Sequence, residues 1–377
     1  MVRLIGAGLP KGRPDRVRLP VGPTPGELRG VNHALRRESE RLRQRIRELE
    51  GGGEPTEPTI VAALAAIGTA LYRLDIDTWL PTGSPHPVEA TPRSVTADAQ
   101  GHYAVSMSTG LNSVGATGAV VRRTAAGAGV WRKDDTAIGN HRAARVDAAV
   151  GGRVVVGAQT SFATVYEPDG TLIRTFAQGA TTAVLSPDGT KLALPNGSGS
   201  AQVYDVDSGD LVGQWTMIAG SWTTTGLALT DTHAAIVTGR SGVELRTVDG
   251  ALVWNNSELF ATGNEAAAPF ITPEAVWFQT YNGPAGVGPA LVAYHIDTGE
   301  QIGVIPLLAN FAGLTGGLTR CRVEGRVGIT NFGGVSGNSG YLRFDTVTKE
   351  IIGDPVITGA NGLGLGACHG VAVIRQG

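Results

Sequence analysis

Cysteine is almost missing from this chain: Cys321 and Cys368 are the only two in 377 residues. Two thiols cannot build a disulfide framework or a cysteine-based zinc cluster. Charge is sparse as well, at 17% of residues with a net of −2, so a disordered polyelectrolyte is excluded. No segment approaches the roughly 18 apolar residues of a membrane span. The longest candidate, IVAALAAIGTAL at 60–71, is too short. Pro10 interrupts the N-terminal apolar run before it reaches the length of a secretory core. Neither signal-peptide export nor membrane insertion is therefore expected. Lysine is scarce, 4 against 27 arginines, a skew that reflects a GC-rich coding sequence rather than chemistry. Catalytic signatures are also missing: there is no H-E-x-x-H, no G-x-S-x-G and no phosphate loop. Gly6-Ala7-Gly8 has no strand before it and carries no nucleotide-binding meaning.

Glycine and apolar residues are plentiful. Gly makes up 55 positions, about twice the ordinary share of roughly 7%. It follows no strict period, so collagen is excluded and many tight turns are implied. Apolar residues at 42% suffice for a sizeable core. Charge divides the chain in two. Residues 1–50 hold 12 basic and 6 acidic residues, a net of +6, and the remainder has a net of −8. The composition changes at GGGEPTEPT (51–59), a Gly/Pro linker. The expected organisation is an extended arm (1–23), a helix (24–50), this linker (51–59) and a β-domain (60–377).

The helix begins at Thr24-Pro25-Gly26-Glu27, a capping-box pattern with Pro at the first helical position, and Gly51 can supply its left-handed stop. Leu28, Leu35, Leu42 and Leu49 recur every seven residues. With these at d, the a positions are Asn32, Ser39 and Ile46, and Glu38–Arg43 and Arg45–Glu50 are attractive g–e pairs in a parallel partner. Such a helix, roughly 40 Å long, is expected to oligomerise through Leu28, Leu35, Leu42, Ile46 and Leu49. The same stripe could instead pack on another protein or on the chain's own body. A nucleic-acid arm is disfavoured because acids interleave the arginines. Pro10, Pro14, Pro20 and Pro23 prevent regular structure in residues 1–23, and arms of this kind order along a partner.

Beyond the linker one unit recurs: a β-run, a tight acidic or glycine turn, and a second β-run. Examples are TVYEPDGTLIRTF (164–176), QVYDVDSGDLVGQW (202–215) and VAYHIDTGEQIGVI (292–305). Anchors at Tyr72, Val121, Tyr166, Tyr204, Leu245, Tyr294 and Phe344 step by 49, 45, 38, 41, 49 and 50 residues. A second marker, the start of the preceding outgoing strand, falls near His102, Arg153, Lys191, His233, Ala275, Arg326 and His369 with similar steps. Seven units of about 45 residues suit the four-stranded blades of a β-propeller. The chain is therefore expected to be all-β, a seven-bladed propeller carried on an N-terminal arm and one α-helix. Its seventh blade is expected to combine an N-terminal strand pair (67–83) with a C-terminal pair (362–376). Residues 60–66 read equally as strand or helical turn.

SPDGTKLAL (186–194) resembles the Ser-Pro-Asp-Gly hairpin of YVTN and WD-type propeller repeats. VYDVDSGDLVGQW and AYHIDTGEQIG resemble the docking motif of quinoprotein propellers, whose Trp is kept here as Trp131, Trp215 and Trp254. The resemblance implies fold and, with Trp in only some blades, no quinone; no cofactor is expected. The plan of the whole chain resembles a tail or fibre protein of an actinobacterial phage. That resemblance implies an N-terminal virion-docking arm and a distal domain facing the host.

Few residues invite chemistry. His102, His233 and His369 share a repeat position with Arg153 and Lys191, and a position that interchanges in this way is structural. The acidic turns at Asp169, Asp207, Asp249 and Asp297 belong on the same rim, where the two sets can pair. Asp205, Asp207 and Asp210 hint at a calcium loop, but the closing Glu is missing, and Asp side chains bonded to their own turn amides explain them. Asp134 and Asp135 diverge on a strand. Cys321 and Cys368 fall at the ends of innermost strands of neighbouring blades and read as buried thiols. No catalytic or metal residue is assigned. The best binding candidate is the face opposite the tight turns, where longer Gly-rich connections carry Asn112, Trp222, Tyr281, Asn282, Phe311, Phe332 and Asn338. Rings and amides together suit sugar or peptide recognition. The leading expectation is a non-enzymatic virion structural protein that binds other virion proteins through residues 1–50 and a host-surface glycan or protein through the propeller. A bacterial scaffold propeller, cytoplasmic or extracellular, and a quinoprotein-like or glycan-active enzyme are the alternatives.

Overall fold

The computed structural model describes residues 59–376 except 87, 109–117, 136–144, 158–161, 178–182, 196–199, 217–223, 239–241, 257–265, 281–289, 307–320, 325–326, 333–338, 360–361 and 366. The arm, the heptad helix with Leu28, Leu35, Leu42, Ile46 and Leu49, and nearly all of the linker lie outside the described residues.

The described strands form seven antiparallel sheets of four strands each. Six sheets are built from consecutive strands. The remaining sheet joins Cys368–Gln376 to Thr59–Ile67, Ala70–Leu74 and Pro81–His86 in that order. We number this closing sheet blade 1 and the others 2 to 7 along the chain. From blade 1 round to blade 7 the first strand of each blade touches that of the next, and the second strand of blade 7, Val327–Phe332, meets the first strand of blade 1, which places the first strands around the central axis. The architecture is a seven-bladed β-propeller.

The core consists of seven apolar clusters, each shared by two adjacent blades. Every blade is therefore buried on both faces, and the sheets are stabilised chiefly by their neighbours. The strand Thr59–Ile67 shows the consequence. Ala62, Leu64 and Ala66 pack toward blade 2, while Ala63, Ala65 and Ile67 pack toward blade 7. A strand covered on both sides has no apolar–polar alternation, and alanine favours helices. That is why 60–66 was ambiguous in sequence and is a strand in the ring.

Closure differs from the expected arrangement. The N-terminal region supplies three strands and the C-terminal region one, rather than two each. The pairs Ala63↔Val373 and Leu64↔Ala372 zip the two ends of the domain together. Residues 362–365 are turns and bends rather than a strand. His369 consequently lies on an innermost strand and is not equivalent to His102 and His233, which begin second strands.

Adjacent blades interlock at one repeated place. From blade 2 to blade 7 the third residue of the outermost strand meets the turn between the third and fourth strands of the next blade; between blades 1 and 2 His86, not Gly83, lies against the turn glycine Gly127. Trp131 lies over Gly170, Arg174 over Gly209 and Trp254 over Gly299, and a Cβ on any of these glycines would fall within 3 Å of the overlying side chain. The indole of Trp131 donates to the Pro168 carbonyl at 3.1 Å, and that of Trp254 to the Ile296 carbonyl at 2.8 Å. Where the strand position is Gly213 or Gly303, the next turn moves in instead, through Val248 and Lys349 respectively. Trp215 is not part of this series. It stands two residues further along its strand and packs in the cluster between blades 4 and 5.

The tight turns are wired by their own carboxylates. Asp75 accepts from the amides of Asp77 and Thr78, Asp169 from Thr171 and Asp205 from Ser208. The bond from Ser208 makes Asp205 a turn residue, in line with the reading from sequence. These amides hold the carboxyls of Asp75, Asp169 and Asp205 below the ordinary range, and the Thr247 hydroxyl does the same for Asp249. At Asp188, burial pushes upward but the Ser186 hydroxyl and Thr190 outweigh it, taking the group to about 2.

Two outcomes follow from this packing and wiring. Folded carboxyls that titrate below an unfolded value of about 3.9 stabilise the fold fully above that pH. Their contribution disappears as pH falls through the folded values. The urea midpoint is expected to decline as pH falls below about 6.5, because burial lowers the pKa of His86 and His369 in the folded state, and to fall further between about pH 4 and 2; a maximum near pH 4 would contradict this. Trp254→Ala is expected to cost about 3–5 kcal/mol by urea denaturation, because it empties the space over Gly299.

Candidate functional site

The two rims of the ring differ. The tight turns between first and second strands and between third and fourth strands lie on one rim. There Arg153 bridges blades: it pairs with Glu167 at 3.0 Å and with Asp207 of the next blade at 2.9 Å, and donates to the Gly189 carbonyl at 3.1 Å. This is the pairing between basic strand starts and acidic turns that the repeat suggested. A deeper pair escaped the sequence. Asp98 and Arg122 are both buried, 2.5 Å apart, and Arg122 also donates to the Pro168 carbonyl of blade 3. Asp98 accepts from the amides of Gln100 and His102 as well, so both charges are satisfied. His102 itself places a buried Nδ1 3.8 Å from Asp98 without a hydrogen bond. These groups clamp blades and turns, which is a structural use of charge.

At the opposite rim several strands end where the described residues stop. Asn112, Trp222, Tyr281, Asn282, Phe311 and Asn338 lie outside the described residues, as does the side chain of Phe332 at the end of the strand Val327–Phe332. Near this rim, across blades 6, 7 and 1, runs a belt of buried polar groups. The Gln279 amide donates to the Thr330 hydroxyl, and the Asn331 amide donates to the Cys368 carbonyl at 3.2 Å. Thr358 donates to the Ser339 carbonyl through both its amide (2.7 Å) and its hydroxyl (3.1 Å). Satisfied buried networks rigidify their surroundings, so these strand ends form a fixed platform. Cys368 sits in this belt as a free, buried thiol. Burial pushes its thiol up to about 12. The side chain of Cys321 is not described.

A concave site occurs at the seam between blades 7 and 1. A cleft of about 390 Å³ is lined by Thr78 and Leu80 from blade 1 and by Arg343, Asp354, Val356 and Leu363 among others from the end of the chain. Its origin is a reversal of the interlock. The bridge Phe344↔Ile351 matches the pair Tyr294↔Gln301, so Gly353 stands in register with Gly303, at the place of Trp131 and Trp254. The knob comes instead from the turn: Trp79, at a φ of 61°, stands where blade 6 has Gly299 at 66°. Trp79 is buried, its carbonyl accepts from the Tyr341 hydroxyl at 2.5 Å, and the Arg343 guanidinium lies 5.1 Å from its ring centroid. Burial lowers the pKa of Arg343 from its ordinary value. Leu80 and Leu363 are 45% and 47% exposed. Sequence reasoning missed this site, although a signal existed: DIDTWL at 75–80 carries Trp where HIDTGE at 295–300 carries Gly.

No family model matches the chain, and no curated protein matches it. Solved structures do. BamB from Moraxella catarrhalis is 16% identical over 69% of this chain and 74% of that chain, with a TM-score of 0.45. The computationally designed Ika8 protein is 14% identical over 80% of this chain and 85% of that one, with a TM-score of 0.53. At such identity the likeness to the designed protein is one of fold alone.

The state of Cys368 can be read directly. The thiol is expected to resist aromatic disulfide reagents in the native protein at pH 8 and to react fully in denaturant, as mapped by mass spectrometry. Rapid native labelling at Cys368 would contradict its burial.

Proposed function

We propose that this chain is a non-enzymatic structural and binding protein, a tail or fibre component of a virion. Residues 1–50 attach it to other virion proteins, and the propeller presents its long-connection rim to a host-surface glycan or a partner protein. The observation that carries this reading is the asymmetry of the ring. On the tight-turn rim, charged side chains are engaged with turn amides and neighbouring blades. On the other rim a cross-linked belt of buried polar groups holds the strand ends of blades 6, 7 and 1. A rigid base with variable loops is how binding proteins commonly present recognition residues. The basic arm and its leucine heptads supply the means of attachment in this reading, since the seam they offer suits a second helix better than solvent.

The test keeps the chain at full length. Leu35→Asp with Leu42→Asp is expected to leave the urea midpoint of the propeller unchanged. Sedimentation at micromolar concentration is expected to show a multimer becoming a monomer, and labelled particles in electron micrographs to lose the protein. A wild-type chain that is already monomeric and absent from particles would sink the proposal, as would steady turnover of a glycan that survives in the variant.

A further inference from the structure

We propose that Arg93 and His369, on the innermost strands of blades 2 and 1, form a site for the carboxylate group of a ligand. It lies beside the central axis, on the rim opposite the tight turns. It rests on its own geometry and does not depend on the virion role.

Two bulges build the site. Along the strand Thr91–Ala97, Pro92 pairs with Met107 and Ser94 with Ser106, so Arg93 is the extra residue. Along the strand Cys368–Gln376, Gly370 pairs with Ala66 and Cys368 with Ile67, so His369 is the extra residue. An extra residue leaves the ladder, and its side chain is re-aimed. The two strands pack against each other: a Cβ on Gly370 would stand 3.5 Å from the Val95 side chain, an ordinary contact. Arg93 lies near enough to His369 to disfavour its charged form. The innermost strand of blade 5, Thr224–Leu229, has a bulge at the same end, and its extra residue is Thr225. The bulge is thus a device of the ring, and the pair of basic side chains is particular to the junction of blades 1 and 2.

Neither group has the partner that a structural charge has elsewhere in this molecule. Arg122, Arg153 and Arg246 each hold a carboxylate. Among the described residues Arg93 makes no hydrogen bond, and no carboxylate lies within ion-pair distance of Arg93 or His369. Both are partly buried. Burial lowers the pKa of Arg93 from its ordinary value. Burial and then Arg93 lower that of His369, against an opposing effect of the Gly68 backbone. On the neighbouring elements Arg93 is the charged group that acts on His369, and Cys368 beside it is a neutral thiol. A partly desolvated cation without an anion is unfavourable, and an incoming anion relieves it. The guanidinium offers two parallel N–H donors that match the two oxygens of a carboxylate. With His369 neutral near pH 7, Arg93 is the single positive charge of the pair, which a monoanion balances. In acid the imidazole gains a second N–H and joins in holding the same group.

The probes are D-glucuronate, N-acetylglycine, uncharged D-glucose and inorganic phosphate, titrated into the full-length protein. Calorimetry reads affinity, and proton NMR follows the imidazole signals, with His369→Gln assigning that of His369. Saturation by a carboxylate is expected to raise the titration midpoint of His369, and affinity to rise by about threefold or more from about pH 7.5 to 5.5. Glucuronate and N-acetylglycine distinguish an acidic sugar from a peptide terminus as the source, the tighter binder naming it. Arg93→Gln is expected to weaken binding by about tenfold or more and, without ligand, to raise the His369 midpoint because a like charge is gone. Arg93→Lys should keep that midpoint low. Arg93 has no partner to lose, so Arg93→Gln should not lower the urea midpoint. If it fails to fold, His369→Gln carries the test, since it should abolish the pH dependence of binding. No saturation up to about 0.1 M carboxylate overturns the proposal. So does equal binding of glucose, tighter binding of phosphate than of either carboxylate, or unchanged affinity in Arg93→Gln. Leu35→Asp with Leu42→Asp does not touch this site, so failure of the attachment reading and failure of this one are read separately.

Discussion

Apolar contact between neighbouring blades is the interaction on which the rest of this molecule depends. A sheet that is apolar on both faces cannot bury either of them alone. Here each sheet is covered on both faces, and the residues that do the covering belong to the blades before and after it. Such packing leaves no free face only if the series closes. The pairing of Thr59–Ile67 with Cys368–Gln376 therefore stabilises more than its own hydrogen bonds, because it removes two open edges and two bare faces at once.

Around that apolar framework the polar groups serve geometry. Turn carboxylates bind the amides of their own turns, Arg153 and Arg122 reach into the next blade, and the Gln279–Asn331 belt ties three blades together. The interlock of strand and turn shows how a repeat absorbs sequence change. A large side chain on one partner meets glycine on the other at several junctions, and where the strand itself carries glycine the next turn moves in, by backbone at Gly213 and by the Lys349 side chain at Gly303. The seam is the junction where exchange is incomplete. Trp79 fills the inner part of the space and leaves the outer part as a cleft floored by Arg343.

Much of this was legible in the residues. The spacing of turn motifs counted seven blades because each blade needs the same acidic or glycine turn at the same distance. Asp205 and Arg153 were read correctly because their partners are local or lie at the same repeat position one blade on. Residues 60–66 were not legible, since burial on both faces erases alternation. His369 was misplaced for a related reason: with one innermost strand supplied from the far end of the chain, the repeat is cut between its first and second strands, and a spacing rule carries the marker one strand too far inward. Trp215 resembled Trp131 and Trp254 by motif, but all three outer strands carry the same bulge, so the count from Leu211 puts Gly213 at the interlock and Trp215 two places later.

The amino-acid sequence by itself determined the strand-turn-strand unit, the number of blades and the chemistry of the tight turns. Those depend on interactions among residues close in the chain: glycine at positive φ, Asp side chains on nearby amides, and apolar runs of strand length. Tertiary structure alone decided the division of the closing blade into three strands and one, the burial of Asp98 with Arg122, and the reversal that sets Trp79 under Arg343. Each of these joins groups far apart in sequence, and their energies exist only once the ring has brought one blade's face against the next.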